Sequence, residues 1–212
     1  MAQARIAVFA QQKGGAGKTT LLTQTAVALA GRGLKVALVD LDPQRSLAGW
    51  IDARAQALGG APDFAFYESS EWRAATDIRR AAAEAAVVMV DCPGAADVLQ
   101  RGVMREAHLV LIPAQPSAPD AWATRATLRM AAREGAPARV VMNRVPPRGG
   151  PGAAVEAMLR EDGAEIMAAR IGARIAFAQA FMDGRGVTET ERGGKAAAEI
   201  DALADEALAA LG

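Results

Sequence analysis

The sequence predicts an α/β protein built on a mostly parallel β-sheet flanked by helices. Short apolar runs alternate with helix-like segments along the chain, which is the pattern of parallel α/β architecture. The runs are nearly all apolar, as strands covered on both faces should be. Polar residues then gather just beyond the runs, at Lys13 to Thr20, Asp40, Asp42, Asp91 and Asn143. That is where open parallel sheets hold their ligands.

The first strand is read at Ile6–Ala10. A glycine-rich turn follows, then a helix from Lys18 to Ala30 that Gly31 and Gly33 terminate. The second strand is Val36–Asp40. A helix at Glu71–Glu84 leads into a strand at Val87–Val90, which ends at Asp91. Strands at Leu109–Pro113 and Arg139–Asn143 come next, with helices at Asp120–Glu134 and Ala153–Asp162. Beyond Ile166 the expected elements are a short strand at Ala169–Ile171, a helix at Ile175–Asp183 and a final helix at Gly193–Leu211. Pro146–Pro151 reads as a loop, and no linker or internal repeat is visible.

The chain has 212 residues, 51% of them hydrophobic. A domain of that length buries roughly 70–75% of its unfolded surface, so one domain over residues 1–212 is expected. Formal net charge is zero, so any nucleic-acid binding has to come from local basic patches. The single cysteine, Cys92, cannot form an internal disulfide or a cysteine-ligated cluster, which fits a reducing compartment. Residues 1–4 run straight into the first strand without a signal-peptide pattern. No uncharged apolar stretch is long enough to span a bilayer. A cytoplasmic protein is expected.

The turn after the first strand reads Gln11-Gln12-Lys13-Gly14-Gly15-Ala16-Gly17-Lys18-Thr19-Thr20. Glycines let backbone N–H groups converge on phosphate oxygens, and the helix start behind them favours an anion. Lys18 supplies a point charge for the β- and γ-phosphates, and Thr19 a hydroxyl for Mg²⁺. The loop departs from the ordinary phosphate-loop pattern. Gln12 stands where a glycine is usual, and a second lysine, Lys13, precedes Gly14-Gly15.

The run K-G-G-x-G-K-T-T is the deviant Walker A motif, and here the chain resembles the ParA/MinD family of P-loop ATPases. That resemblance implies a P-loop NTPase fold of the deviant Walker A class, with ATP and Mg²⁺ as cofactors and Gly14, Gly15, Ala16, Gly17, Lys18, Thr19 and Thr20 at the nucleotide. It implies a homodimer when ATP is bound, in which Lys13 reaches the partner's phosphates as an arginine finger would. The resemblance is close over residues 5–145 and only in outline beyond.

Val39-Asp40-Leu41-Asp42-Pro43-Gln44 closes the second strand. Alternation places Asp40 and Asp42 on one side of an extended chain, where carboxylates suit metal-bound and attacking water. The run resembles the family's second signature. By that match Asp42 orients the attacking water and Asp40 lies near the Mg²⁺ water shell. Val87–Val90 with Asp91 has the Walker B form, a buried strand delivering one carboxylate toward Mg²⁺. The family continues with Thr-Pro-Pro, whereas this chain has Cys92-Pro93-Gly94. In the family an asparagine at the position of Asn143 reads the adenine edge. Pro113-Ala114-Gln115-Pro116-Ser117, with Asp120 after it, resembles the family's P-x-x-P-S loop, read here as loop shape and dimer contact.

Two basic groups are candidates for DNA phosphate. Arg170, Arg174, Arg192 and Lys195 come first, and the helix stripe Arg125, Arg129 and Arg133 second. The plain alternative is a solvated charged face. Trp50, Trp72 and Trp122 are expected as core or interface anchors, and His108 as structural.

The resemblance therefore implies a ParA-like ATPase. Its ATP dimer binds DNA nonspecifically, associates with the nucleoid, and segregates or positions a plasmid, chromosome region or protein cluster when a partner protein stimulates hydrolysis. One alternative is a MinD-like membrane-cycling regulator. It needs a basic amphipathic C-terminal helix, but residues 196–212 carry Glu199, Asp201, Asp205 and Glu206 and no lysine or arginine. Stable membrane binding is not expected. The other alternative is a metabolic enzyme on the same scaffold, against which the V-D-x-D-P-Q run argues.

Overall fold

The computed structural model describes residues 3–94, 97–148 and 150–212. Residues 1 and 2 of the N-terminal segment and Gly149 of the Pro146–Pro151 loop lie outside the described residues. The elements run β1 (Arg5–Phe9), α1 (Lys18–Gly31), β2 (Val36–Asp40), α2 (Ser46–Ala57), β3 (Ala65–Glu68), α3 (Ala74–Glu84), β4 (Val87–Asp91) and α4 (Asp97–Met104). They continue β5 (Leu109–Ala114), α5 (Ala118–Arg133), β6 (Ala138–Val145), α6 (Gly152–Glu161), β7 (Ile166–Gly172), α7 (Ile175–Met182), α8 (Val187–Thr190) and α9 (Lys195–Leu211).

The seven strands form one parallel sheet in the order β3-β2-β4-β1-β5-β6-β7. This is the expected α/β architecture. Three expectations change. The short edge strand β3 and the helices α2, α4 and α8 were not foreseen. The seventh strand runs from Ile166, well before Ala169. β6 continues two residues past Asn143, so that residue does not end its strand.

Side chains alternate across the sheet and divide the helices between its faces. Ala7, Phe9, Leu38 and Leu111 pack with α1, α2, α7, α8 and α9. Ile6, Val8, Val39, Val90 and Ile112 pack with α3, α4 and α5. α6 lies over β6, with Val155 and Leu159 against Val140 and Met142. Residues Leu21 to Leu29 of α1 are all buried. The run includes the polar Thr23, Gln24 and Thr25, and α9 covers the outer side of α1. Truncating Leu22, which is fully buried, to alanine should therefore cost about 2–5 kcal/mol. The loop that opens α1 is thus anchored to a helix buried in the core.

The acids of α9 have structural partners. Glu206 accepts the N–H groups of Ala168 (2.8 Å) and Ala169 (2.6 Å), and Glu199 that of Gly172 (3.0 Å), which covers the free edge of β7. Asp201 and Asp205 pair with Arg32 at 3.1 and 2.6 Å. Among the described residues no helix is long and apolar enough to cross a membrane.

Candidate functional site

β4 lies between β1 and β2, with Phe9 beside Asp91 and Asp40 beside Asp91. Chain order therefore reverses at the C-terminal ends of β1, β2 and β4, where a parallel sheet opens a crevice. A cleft of about 920 Å³ sits there, lined among others by Gly14, Gly15, Gly17, Lys18, Thr19, Thr20, Asp40 and Asp42.

Side-chain amides hold the glycine loop open. Asn143 Nδ2 donates to Ala16 O at 2.8 Å, and Gln115 Nε2 to Gly15 O at 2.9 Å. With those carbonyls engaged, the backbone N–H groups of residues 13–20 have no acceptor among the described residues. Gly17 has φ 96°, and a Cβ there would meet Asn143 Nδ2 at 2.4 Å. Only glycine allows this approach. Lys18 is 7% exposed and has no ion-pair partner among the described residues. A buried ammonium without a counter-ion is costly, so this loop is built for an anion. Ala16 is fully buried, so only its main chain is placed to meet a ligand.

Upstream of the glycines, Gln11 is fully buried and fully bonded. Its Nε2 donates to Pro113 O (3.0 Å) and Thr124 Oγ1 (2.9 Å), and its Oε1 accepts from Thr127 Oγ1 (3.1 Å). The Gln12 N–H reaches Thr127 Oγ1 at 3.3 Å. These bonds lock the start of the loop to α5. Sequence reasoning missed this network, although a glutamine directly after an apolar strand is a usable signal. It missed Gln100 too. Fully buried, that residue donates to Pro93 O (2.5 Å) and Gly94 O (3.1 Å) and so holds the segment that replaces Thr-Pro-Pro.

Lys13 is paired within its own chain. Its Nζ lies 2.5 Å from Asp120 Oδ2 of the same chain. Asp120 is 1% exposed and also takes the Ser117 hydroxyl at 2.5 Å. The P-x-x-P-S loop thus does more than shape the chain: Ser117 caps α5 and Asp120 holds Lys13. Reaching a partner would require Lys13 to leave this ion pair.

Three carboxylates surround the loop. Asp91 is fully buried, and its Oδ2 accepts from Thr19 Oγ1 at 2.6 Å. Its Oδ1 has no hydrogen-bond partner among the described residues. Burial pushes its carboxyl up to about 7; the Thr19 hydroxyl opposes that, and nearby Asp40 adds to it. Asp40 is 1% exposed, and burial holds it above the ordinary carboxylate value, opposed by N–H bonds from Asp42 and Ala48, both at 3.0 Å. The chain turns at Asp40, so the expected extended alternation of Asp40 and Asp42 is replaced by an N–H of Asp42 folded onto Asp40. Asp42 Oδ1 accepts from the Gln44 N–H at 2.9 Å. Its other oxygen makes no such bond among the described residues.

The residues fit a Mg²⁺-bound polyphosphate. The orphaned Asp91 oxygen, the Thr19 hydroxyl beside it and the unpaired Lys18 meet at one place. Among the described residues no three His, Cys, Asp or Glu side chains stand close enough to hold a metal ion by themselves. An ion here needs phosphate and water oxygens, as Mg²⁺ at nucleotide sites commonly has. Cys92 is fully buried, and its thiol is pushed far above its ordinary value by burial, so it is inert.

The basic candidates separate. Arg125 is bound to Asp162, Arg170 to Glu156 (2.7 Å) and Arg174 to Glu199. Arg129, Arg133, Arg192 and Lys195 are exposed and have no ion pair among the described residues. The first two ride on α5, while Lys195 opens α9 and Arg192 just precedes it, on the opposite face of the sheet. They form no continuous patch on one chain. Trp50 is a core residue as expected, while Trp72 and Trp122 are 83% and 59% exposed.

The fold and this loop define a P-loop nucleotide-binding α/β protein. Residues 7–187 match the model of the CobQ/CobB/MinD/ParA nucleotide binding domain, and the chain belongs to that family. It is 30% identical over 206 residues to the maintenance of carboxysome distribution protein A of Halothiobacillus neapolitanus, covering 94% of each chain. It is 32% identical over 189 residues to Protein ParA of Rhizobium radiobacter, covering 84% of this chain and 83% of that one. The solved ATP complex of a Cyanothece McdA variant shares the fold, with a TM-score of 0.80 at 17% identity over 99% of this chain and 98% of that one.

Proposed function

We propose that this chain is a ParA-like ATPase that binds ATP with Mg²⁺, dimerises in that state, and positions a cargo through hydrolysis stimulated by a partner protein. The observation that carries the reading is the glycine loop, with free N–H groups, an unpaired buried Lys18 and a second lysine held by Asp120. The likeness to carboxysome-distribution and ParA proteins supports positioning as the task.

In this reading Gly14, Gly15, Gly17 and the first turn of α1 hold the phosphates through their N–H groups. Lys18 neutralises the β- and γ-phosphates. Thr19 would hold Mg²⁺ through its hydroxyl lone pairs, with Asp91 and Asp40 reaching it through water. Mg²⁺ bound with the nucleotide supplies charge neutralisation at the phosphate oxygens. Asp42 orients the attacking water with its free oxygen and takes its proton. Lys13, released from Asp120, places positive charge at the partner's phosphates. Asn143 still has one N–H and one lone pair to read a base edge.

Dimerisation would bring two copies of each basic pair together, so DNA contact is assigned to Arg192 and Lys195 first, then Arg129 and Arg133. Binding through these groups is nonspecific and would place the protein on the nucleoid. The experiment is steady-state ATP hydrolysis with and without Mg²⁺. Wild type should turn over slowly and only with Mg²⁺, and Lys18→Ala not at all. Equal turnover by Lys18→Ala would remove the site assignment.

A further inference from the structure

Arg54 is buried in the C-terminal half of α2, and all five N–H groups of its guanidinium find acceptors. Nε and Nη2 meet the two oxygens of Asp63 at 2.5 and 2.8 Å. Nη1 and Nη2 meet those of Glu189 at 3.1 and 3.0 Å, and Nη1 also donates to Gly184 O at 3.1 Å. The rings of Trp50 and Phe64 lie 5.3 and 5.1 Å from the guanidinium carbon. Apolar side chains of similar volume commonly stabilise a fold as well as such a buried ion cluster. What the planar fork adds is direction, since it fits two carboxylates in one orientation only.

Gly184 follows α7 and Glu189 lies in α8. The segment between them is tied to α1 as well. The Val187 N–H donates to Gln24 Oε1 at 2.7 Å, and Gln24 Nε2 donates to Arg185 O at 3.1 Å. Gly184 has φ 63°, and a Cβ there would meet the Arg54 backbone N at 2.3 Å, so only glycine lets the segment lie this close to α2. α1 opens from the glycine loop, and α2 opens from the turn that carries Asp42. Residues 184–189 therefore hold in one frame the two helices behind the cleft.

Asp42 is coupled to α2 at the other end of that helix. The Arg45 N–H bonds Asp42 O at 2.8 Å, and the Ala48 N–H, in the first turn of α2, bonds Asp40 Oδ2 at 3.0 Å. Arg45 between them has φ 55°, a conformation that a residue other than glycine keeps only where its surroundings impose it. A turn this tight has no slack. A slide or rotation of α2 therefore moves the Asp42 carboxylate across the cleft it shares with Lys18 and Thr19.

We propose that Arg54 is a positioning residue for hydrolysis: by fixing α2 to residues 184–189, and through them to α1, it sets the Asp42 carboxylate against the phosphates held by the glycine loop. This rests on the ATPase reading above, in which Asp42 orients the attacking water, and adds the remote residue that aims it.

The test measures ATP affinity by calorimetry and hydrolysis by single turnover with Mg²⁺, for wild type, Arg54→Met and Arg54→Lys. Methionine fills the space between Trp50 and Phe64 without the fork, and lysine keeps the charge but loses the planar geometry. Arg54→Met should lower the hydrolysis rate about tenfold, as a misplaced reacting group does, and leave ATP affinity unchanged. Arg54→Lys should recover only part of the rate. In an Asp42→Ala background Arg54→Met should lower the rate no further, because the group it aims is gone. Should Arg54→Met not fold, Glu189→Gln carries the same comparisons, since it keeps an oxygen for the Gly186 N–H and loses the charge that pairs with Arg54. A wild-type rate in the folded variant overturns the proposal. So does ATP affinity that falls by the same factor as the rate, or an equal further loss in the Asp42→Ala background, either of which would make Arg54 a support of the fold alone. A wild-type rate from Asp42→Ala by itself removes the ATPase reading of Asp42, and the Arg54 proposal falls with it.

Discussion

Lys13 and Asp120 stand 107 residues apart in sequence, and their side chains meet at 2.5 Å. Asp120 is buried and Lys13 is 40% exposed, so the pair places the loop's extra lysine on its own chain. Removing Lys13 would strand the buried Asp120 carboxylate, and the charged hydrogen bond is worth about 1–2 kcal/mol with Lys13 half in solvent. The ion pair therefore opposes any use of Lys13 across a dimer.

Asp120→Asn weakens that hold without emptying the site. It should lower the ATP concentration needed for dimerisation about tenfold, read by light scattering across an ATP series. Lys13→Ala should bind ATP but neither dimerise nor hydrolyse it. Mixed with Asp42→Ala, it should regain activity, since one site then has an intact Asp42 and a partner's intact Lys13. A folded Asp120→Asn that dimerises less readily than wild type would show that the ion pair does not hold Lys13 back.

Asp91 sets a pH dependence. Its carboxyl titrates near 7 in the folded chain against 3.8 as the reference value, because of burial. Between those values the folded protein keeps a proton the unfolded chain has lost. The stability from this group is full below about pH 4 and is lost as pH rises through about 7. Asp91→Asn cannot ionise. Its melting temperature without ligand should gain on wild type from about pH 5 to about pH 8. A gap that stays constant or shrinks would mean that Asp91 ionises freely where it sits.

DNA binding should respond to ATP and salt. Log affinity falls with log salt by about 0.9 per phosphate engaged on duplex DNA, so a dimer with two copies of Arg192 and Lys195 should show a steeper slope than a monomer. Replacing both by alanine should weaken all sequences alike and leave hydrolysis without DNA intact. Replacing Arg170 and Arg174, already bound to Glu156 and Glu199, should have the smaller effect. Binding that survives loss of Arg192 and Lys195 but not of Arg129 and Arg133 would move the DNA surface to α5.

Much of the fold was legible because burial on both faces writes itself into composition. β2, β4 and β5 are wholly buried and wholly apolar except at their last carboxylates or proline. β3 escaped because a four-residue edge strand is half-exposed and looks like a loop. α2 was readable, with Leu47, Trp50, Ile51 and Arg54 buried at helical spacing, but the arginine in the buried stripe hid the pattern. The loop residues were legible as a local motif. Contacts across the fold were not. Nothing in the sequence pairs Lys13 with Asp120 until β1 and β5 lie side by side, or Arg170 with Glu156 until α6 folds back along β7.

The central claim is a nucleotide-switched dimer, and sedimentation of Asp42→Ala tests it most directly. Asp42 is assigned to water and not to the nucleotide, so the variant should bind ATP while hydrolysing it about a hundredfold or more slowly. With Mg²⁺ and ATP it should sediment at twice the mass of one chain, and with ADP as a single chain. Adding Lys18→Ala should abolish the heavier species. A variant that binds ATP by calorimetry, remains a single chain at every protein concentration and turns ATP over at the wild-type rate would contradict the account.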